Sequence, residues 1–219
     1  MAIDLYLTPG SAPCRLVLLT AAALNIQLNL NHVDLRAGEQ FSPDFLKLNP
    51  QHTIPTIVDQ GFALWESRAI SRYLVNKYGH GSTLYPEDPQ SRALVDQRLD
   101  FDLGTLYPKF ADYFYPQVFG SAPADPEKLK KLHEVLGFLD IFLGDEKYAA
   151  GSDLTIADLS LVATVSTIDA AGISLDDFPN IHRWFELVKS TAPDYENANG
   201  KGIKAFKELV AQLNAKTEL

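Results

Sequence analysis

The stretch Ile3-Asp4-Leu5-Tyr6-Leu7-Thr8-Pro9-Gly10-Ser11-Ala12-Pro13-Cys14-Arg15-Leu16 decides the architecture of this chain. Ile3, Leu5 and Leu7 recur at every second position, the period of a strand with one buried face. Pro9-Gly10 is turn chemistry. Ser11 then takes the N-cap position, and an apolar helix from Leu16 to Leu24 follows. A strand that passes through a tight turn into a helix N-terminus leaves backbone N–H groups free beside the positive end of the helix dipole. An anion is favoured there, and a sulfur anion is among the useful ones. The spacing Ser11-Ala12-Pro13-Cys14 echoes the C-x-x-C of thioredoxin-like redox proteins, with serine at the exposed first position. The pattern predicts a place that holds another molecule's thiolate. Cys14, one turn further on, reads as a buried, inert thiol.

Around this junction the first 80 residues alternate strands and helices. Leu28 to about Leu35 has strand period, Pro43 to Leu48 suits a short helix, and Thr56 to Trp65 reads as two strands about a Gln60-Gly61 turn. Glu66 to Tyr78 follows as a helix that Gly79 stops. The order β-α-β-α-β-β-α suits a thioredoxin-like α/β domain at 1–80. A loop rich in Gly, Pro and acids then forms a linker at 81–89. Residues 90–219 are read as an all-α helical domain. Leu129, Leu132, Leu136, Leu139 and Leu143 mark an amphipathic helix, and Asp153 to Ala171 is apolar nearly all round, as a buried helix should be. Phe178 to Ser190 and Gly202 to Leu213 complete the set.

The 219 residues carry a net charge of −9 and no basic stripe, which disfavours nucleic acid as a partner. No apolar run approaches the ~20 residues that span a bilayer, and no secretory signal pattern opens the chain. One cysteine excludes an internal disulfide framework and argues for a reducing compartment. The histidines have no metal-ligand spacing. There is neither a nucleotide P-loop nor a hydrolase elbow.

Three further motifs carry chemistry or its support. In Asn49-Pro50-Gln51-His52-Thr53-Ile54-Pro55-Thr56, a proline at a strand start is either an ordinary strand-entry proline, the commoner case, or a cis peptide that turns the Ile54 backbone outward to pair with a peptide-like ligand. In Trp65-Glu66-Ser67-Arg68-Ala69-Ile70, the helix N-terminus at Ser67 can take a carboxylate and Glu66 an ammonium, the two needs of an amino-acid head group. A cap with a surface ion pair is the plainer reading. Leu154-Thr155-Ile156-Ala157-Asp158-Leu159 has the form of a capping box and is structural. Seven aromatics between Phe101 and Phe119 exceed what one helix face buries, so some line an apolar pocket.

Together, Pro-Gly-Ser-Ala-Pro-Cys-Arg, Asn-Pro-Gln-His-Thr-Ile-Pro, Trp-Glu-Ser-Arg-Ala-Ile and Leu-Thr-Ile-Ala-Asp-Leu-Ser resemble a cytosolic glutathione transferase, most of all the insect delta class. The resemblance runs from about Ile3 to beyond Phe206. Epsilon-class relatives share the His-Thr-Ile-Pro and Thr-Ile-Ala-Asp stretches, while Trp65-Glu66-Ser67-Arg68 and Gly104-Thr105-Leu106-Tyr107 look more delta-like. The resemblance implies that Ser11 donates its hydroxyl proton to the glutathione sulfur. It implies that His52, Thr53 and Ile54 hold the glycyl end and the cysteinyl main chain, and that Glu66, Ser67 and Arg68 take the γ-glutamyl group. Asp102 would reach that region from a partner subunit. Tyr107, Tyr115 and Phe119 would line the site for a small hydrophobic electrophile. It implies a cytoplasmic homodimer with glutathione as co-substrate and no other cofactor. The alternatives are a thiol-disulfide transferase using Cys14 and a non-catalytic ligand-binding protein on the same fold.

Overall fold

In the computed structural model, which describes residues 2–217, β1 (Ile3–Leu7) enters the Pro9-Gly10 turn and α1 (Ala12–Ala23) leaves it. The helix starts four residues before the apolar run, because the Ser11 cap and Pro13 in the first turn set helical geometry at once. There follow β2 (Leu28–His32), α2 (Pro43–Leu48), β3 (Thr56–Asp59), β4 (Phe62–Trp65) and α3 (Ser67–Tyr78), in the predicted order. β2 ends short of Leu35 because the Asp34 carboxylate accepts from the N–H groups of Arg36 and Ala37 at 2.8 and 3.1 Å, which closes a turn.

The sheet order is β2-β1-β3-β4, with β1 parallel to β2 and the other two pairings antiparallel. The β3-β4 turn needs positive φ at both centres and has it, at 53° for Gln60 and 86° for Gly61. Ile3, Leu5, Leu7 and Ile57 pack against Cys14 and Val17 of α1 and Ile70 and Leu74 of α3. On the opposite face the Tyr6 ring meets Phe45 of α2 edge-on at 5.7 Å. This is the thioredoxin-like arrangement.

The remaining elements are helices: α4 (Pro89–Phe101), α5 (Tyr107–Gly120), α6 (Pro126–Leu143), α7 (Ile156–Ala170), α8 (Pro179–Thr191) and α9 (Lys201–Thr217). α7 is buried without a break from Ile156 to Ile168, so the other helices wrap it. The segment between α3 and α4 is tied to that core: Leu84 is buried, and its carbonyl accepts from the Ile156 N–H at 2.9 Å. Between α4 and α5 the chain makes one π turn, Asp102–Leu106. Pro108 has no N–H to offer the Gly104 carbonyl, which explains why the α ladder slips there. Pro116 leaves the Asp112 carbonyl open in the same way, and Lys128 Nζ reaches it at 3.3 Å.

The capping box of α7 is present, and it does more than cap. The fully buried Asp158 carboxylate accepts from the Thr155 N–H at 2.9 Å and its hydroxyl at 3.0 Å, from the Ala149 N–H at 2.7 Å and from the Trp184 indole at 2.8 Å. Burial pushes this carboxyl up, and the four donors pull the other way. Replacing Asp158 with Ala strands three buried N–H groups at about 1–3 kcal/mol each. A loss of about 3 kcal/mol or more is expected, which thermal denaturation should read as a midpoint lower by about 6–12 °C.

Candidate active site

Ser11 sits in extended geometry (φ −73°, ψ 121°) as the N-cap of α1, and is half-buried. Its N–H donates to the Thr8 carbonyl at 3.1 Å. Its Oγ accepts only a long bond, 3.5 Å, from the Cys14 N–H, and among the described residues the hydroxyl has the Cys14 thiol beside it but no oxygen or nitrogen acceptor. No acidic side chain occupies the first turn of α1 to neutralise the dipole. An O–H donor and a positive helix end therefore coincide at one place. Cys14 lies directly behind it, fully buried, with its thiol pushed up to about 11 by burial against the smaller opposing effects of Ser11, the Thr8 backbone and Arg15. At neutral pH the chain has no thiolate of its own here.

The Asn49–Pro55 loop is built on a fully buried asparagine. Asn49 Nδ2 donates to the Thr53 carbonyl at 2.9 Å and to the Thr53 and Thr56 hydroxyls at 3.0 Å, while its Oδ1 accepts from the Gln51 N–H at 2.9 Å. The Ile54-Pro55 bond is cis, the less common of the two forms considered. Among the described residues, the Ile54 N–H and carbonyl have no partner, nor has the Thr53 N–H. An extended main chain could pair with them. His52 has a positive φ of 48° and an exposed ring 4.8 Å from that of Phe41.

At the start of α3, Glu66 adopts φ 71° and ψ 104°, a conformation that costs a non-glycine residue about 1–3 kcal/mol. It turns the Glu66 side chain to solvent while Ser67 and Arg68 go inward. Ser67 Oγ accepts from Arg68 Nη1 at 3.2 Å. Arg68 Nη2 pairs with Asp102 Oδ2 at 2.5 Å, and Ser160 Oγ of α7 donates to the same oxygen at 2.5 Å. Asp102 is wholly buried and holds an arginine of its own chain, so it is not free to reach a partner's site. That corrects the expectation for Asp102. Arg68 is not presented to solvent either, and it acts behind Ser67.

On α5, Tyr107 and Tyr115 touch hydroxyl to hydroxyl at 2.9 Å, and the exposed Phe119 ring lies 5.7 Å from Tyr115. Burial pushes both phenols up, Tyr107 strongly, so both stay neutral donors. Phe110 and Phe114 are core, so the aromatic run divides between packing and wall. A cavity of about 620 Å³ opens beside β2, against Tyr6, Leu30, His32 and Phe45, and holds none of the predicted site residues. Among the described residues no group of His, Cys, Asp and Glu could hold a metal ion, and no helix is long and apolar enough to cross a membrane.

Sequence reading missed the residues behind these motifs. Arg15, Ser160, Tyr195 and Asn199 are partly or wholly buried and hydrogen-bonded near the site from distant parts of the chain. Removing the Asp102 carboxylate leaves a buried guanidinium unpaired. Asp102→Ala is expected to lose about 3–5 kcal/mol in a urea titration.

Comparison with known proteins completes the picture. Residues 1–76 match the glutathione S-transferase N-terminal domain and residues 94–191 the C-terminal domain. A delta-class glutathione transferase of Nilaparvata lugens is 52% identical over 96% of this chain and 99% of its own, with a TM-score of 0.94. A Bombyx mori glutathione transferase is 44% identical over 95% and 98%, with a TM-score of 0.92. A diazinon-metabolizing glutathione S-transferase of the silkworm is 35% identical over 94% and 100%, with a TM-score of 0.87. Matched in both domains and sharing half its residues with a delta-class enzyme over nearly its whole length, this chain belongs to the glutathione S-transferase family.

Proposed function

We propose that the chain conjugates the thiolate of glutathione to small hydrophobic electrophiles, with Ser11 as the residue that keeps the sulfur ionised. A free thiol with a pKa of about 8.5 is only a few per cent ionised at pH 7. Lowering it by about two units takes about 2.7 kcal/mol of preferential stabilisation of the anion. A hydrogen bond to a charged group supplies about 1.5–3 kcal/mol. The α1 N-terminus adds roughly 0.3–1 kcal/mol. The sum suffices without a general base, and serine is poor at abstracting protons. Ser11 is therefore a donor to the sulfur and not a nucleophile. The observation that carries this reading is the Ser11 hydroxyl, which among the described residues donates to no oxygen or nitrogen, at an uncompensated helix end.

The unpaired Ile54 N–H and carbonyl suit the cysteinyl main chain, with His52 and the Thr53 N–H toward the glycyl carboxylate. Ser67 and the N–H groups of the α3 terminus suit the γ-glutamyl carboxylate, with Glu66 for its ammonium and Arg68 holding Ser67 from behind. Tyr107, Tyr115 and Phe119 offer an apolar wall with neutral hydroxyls to the second substrate. Glutathione is consumed as co-substrate, and no further cofactor is proposed. We place the enzyme in the cytoplasm as a homodimer, in keeping with its family and its one buried, free cysteine. Xenobiotic detoxification is the role, for which the silkworm enzyme that metabolizes diazinon is a precedent. A disulfide-exchange mechanism through Cys14 is disfavoured, since a buried thiol at about 11 is neither accessible nor ionised.

Ser11→Ala should raise the pH midpoint of the bound-glutathione thiolate absorbance by about 1–2 units, with about a 5- to 50-fold fall in kcat/KM at pH 6.5. The glutathione KM should stay within about threefold, because the anchors lie elsewhere. An unshifted titration would refute the assignment.

A further inference from the structure

Arg15 is the most unusual charge in the molecule. It lies one helical turn after Ser11, is wholly buried, and faces no carboxylate among the described residues. Nη1 donates to Ser166 Oγ at 3.0 Å and to Asn199 Oδ1 at 2.5 Å. Nη2 donates to the Ala163 carbonyl at 3.1 Å and to Thr167 Oγ1, while Nε has no partner. Burial alone brings the guanidinium down to about 10, with the phenols of Tyr195, Tyr115 and Tyr107 and the Cys14 thiol the titratable groups around it. A buried cation with neutral acceptors is a poor device for stability. It is a good device for geometry, since a planar fork fixes the directions of what it binds.

Asn199 is the far end of that fork. It is wholly buried in a π turn (Glu196–Gly200) just before α9. Its Nδ2 donates to Ser166 Oγ at 3.1 Å and to Tyr195 Oη at 2.8 Å, so each polar atom of the amide is engaged. Two glycines then bring α9 against the Ser11 loop. A Cβ on Gly202 would stand 2.5 Å from the Pro9 carbonyl oxygen and 2.4 Å from Arg15 Cδ. A Cβ on Gly10 would stand 3.3 Å from both the Cα and the N of Phe206, one turn further along α9. The backbone of the Pro9-Gly10-Ser11 turn thus rests on the backbone of the C-terminal helix. The Phe206 ring continues to Phe114 at 5.8 Å, and Phe114 to Tyr115 at 6.2 Å.

We infer that Asn199 and Gly202 are positioning residues for the thiolate site: Asn199, through Arg15, fixes the first turn of α1, and Gly202 sets the height of the Pro9–Ser11 turn, so the C-terminal helix governs where the Ser11 hydroxyl points. Neither residue touches glutathione. The inference rests on the reading of Ser11 as the donor to the sulfur.

The test is the thiolate absorbance titration of bound glutathione in Gly202→Ala, beside the wild type, Ser11→Ala and the exposed control Lys207→Ala. Within a helix, Gly→Ala by itself favours stability. Gly202→Ala is nonetheless expected to raise the ionisation midpoint by about 0.5 unit or more, which is about a twofold or larger fall in kcat/KM at pH 6.5. The glutathione KM should move less than about twofold, and Lys207→Ala should change nothing. If Gly202→Ala does not fold, Gly10→Ala decides by the same readout, since its backbone tolerates alanine and α9 is what its Cβ would meet. An unmoved midpoint in the folded variant, with Ser11→Ala shifted as expected, overturns this inference and leaves the role of Ser11 standing. An unmoved midpoint in Ser11→Ala overturns both.

Discussion

The structure depends on one constraint: the first helix must begin at the end of the first strand, with its N-terminal amides unspent. Ser11 satisfies that end weakly, through a 3.5 Å bond, and no acidic side chain compensates the dipole. Three other helices, α4, α6 and α7, are closed tightly by aspartates at the same end. Asp88 accepts from the Ser91 N–H at 2.9 Å, Asp125 from the Glu127 N–H at 2.9 Å, and Asp158 shuts the start of α7. A cap that leaves part of its end open costs about 1 kcal/mol against a full one. The open end is what an incoming anion can use.

Two buried arginines hold that open end in place from opposite sides. Arg68 joins the start of α3 to Asp102 in the α4–α5 junction and, through that carboxylate, to Ser160 of α7. Arg15 joins α1 to α7 and to the turn before α9. Both end on α7, the helix buried without a break from Ile156 to Ile168. The sheet and the helical half are therefore registered to each other by charge-bearing forks with fixed angles, whereas a greasy interface alone would let them slide.

Local pattern made most of the fold legible. The strand period at Ile3, Leu5 and Leu7, the Gln60-Gly61 turn, the Thr155–Asp158 box and the leucines of α6 each act over a few residues, so each could be read in place. Of the candidate site, the loop ends were visible and the supports were not. Arg15 looks like a surface residue on a short helix. Its acceptors stand 148 to 184 positions away, and no local period announces them. Asp102 was expected in a partner's site on the family resemblance, and no local pattern pointed instead to Arg68, 34 positions distant. The paired glycines at 200 and 202, on either side of a helix start, were the one available hint that something presses close there.

The placement of Cys14 has a consequence for the conjugation of electrophiles proposed above. Sulfur is the nucleophile such molecules seek, and this chain owns a single cysteine. It is sealed under the sheet with no exposed surface and stays protonated at neutral pH. The protein consequently exposes no thiol of its own to an electrophile. The thiol left exposed to such molecules is then the expendable one that glutathione brings.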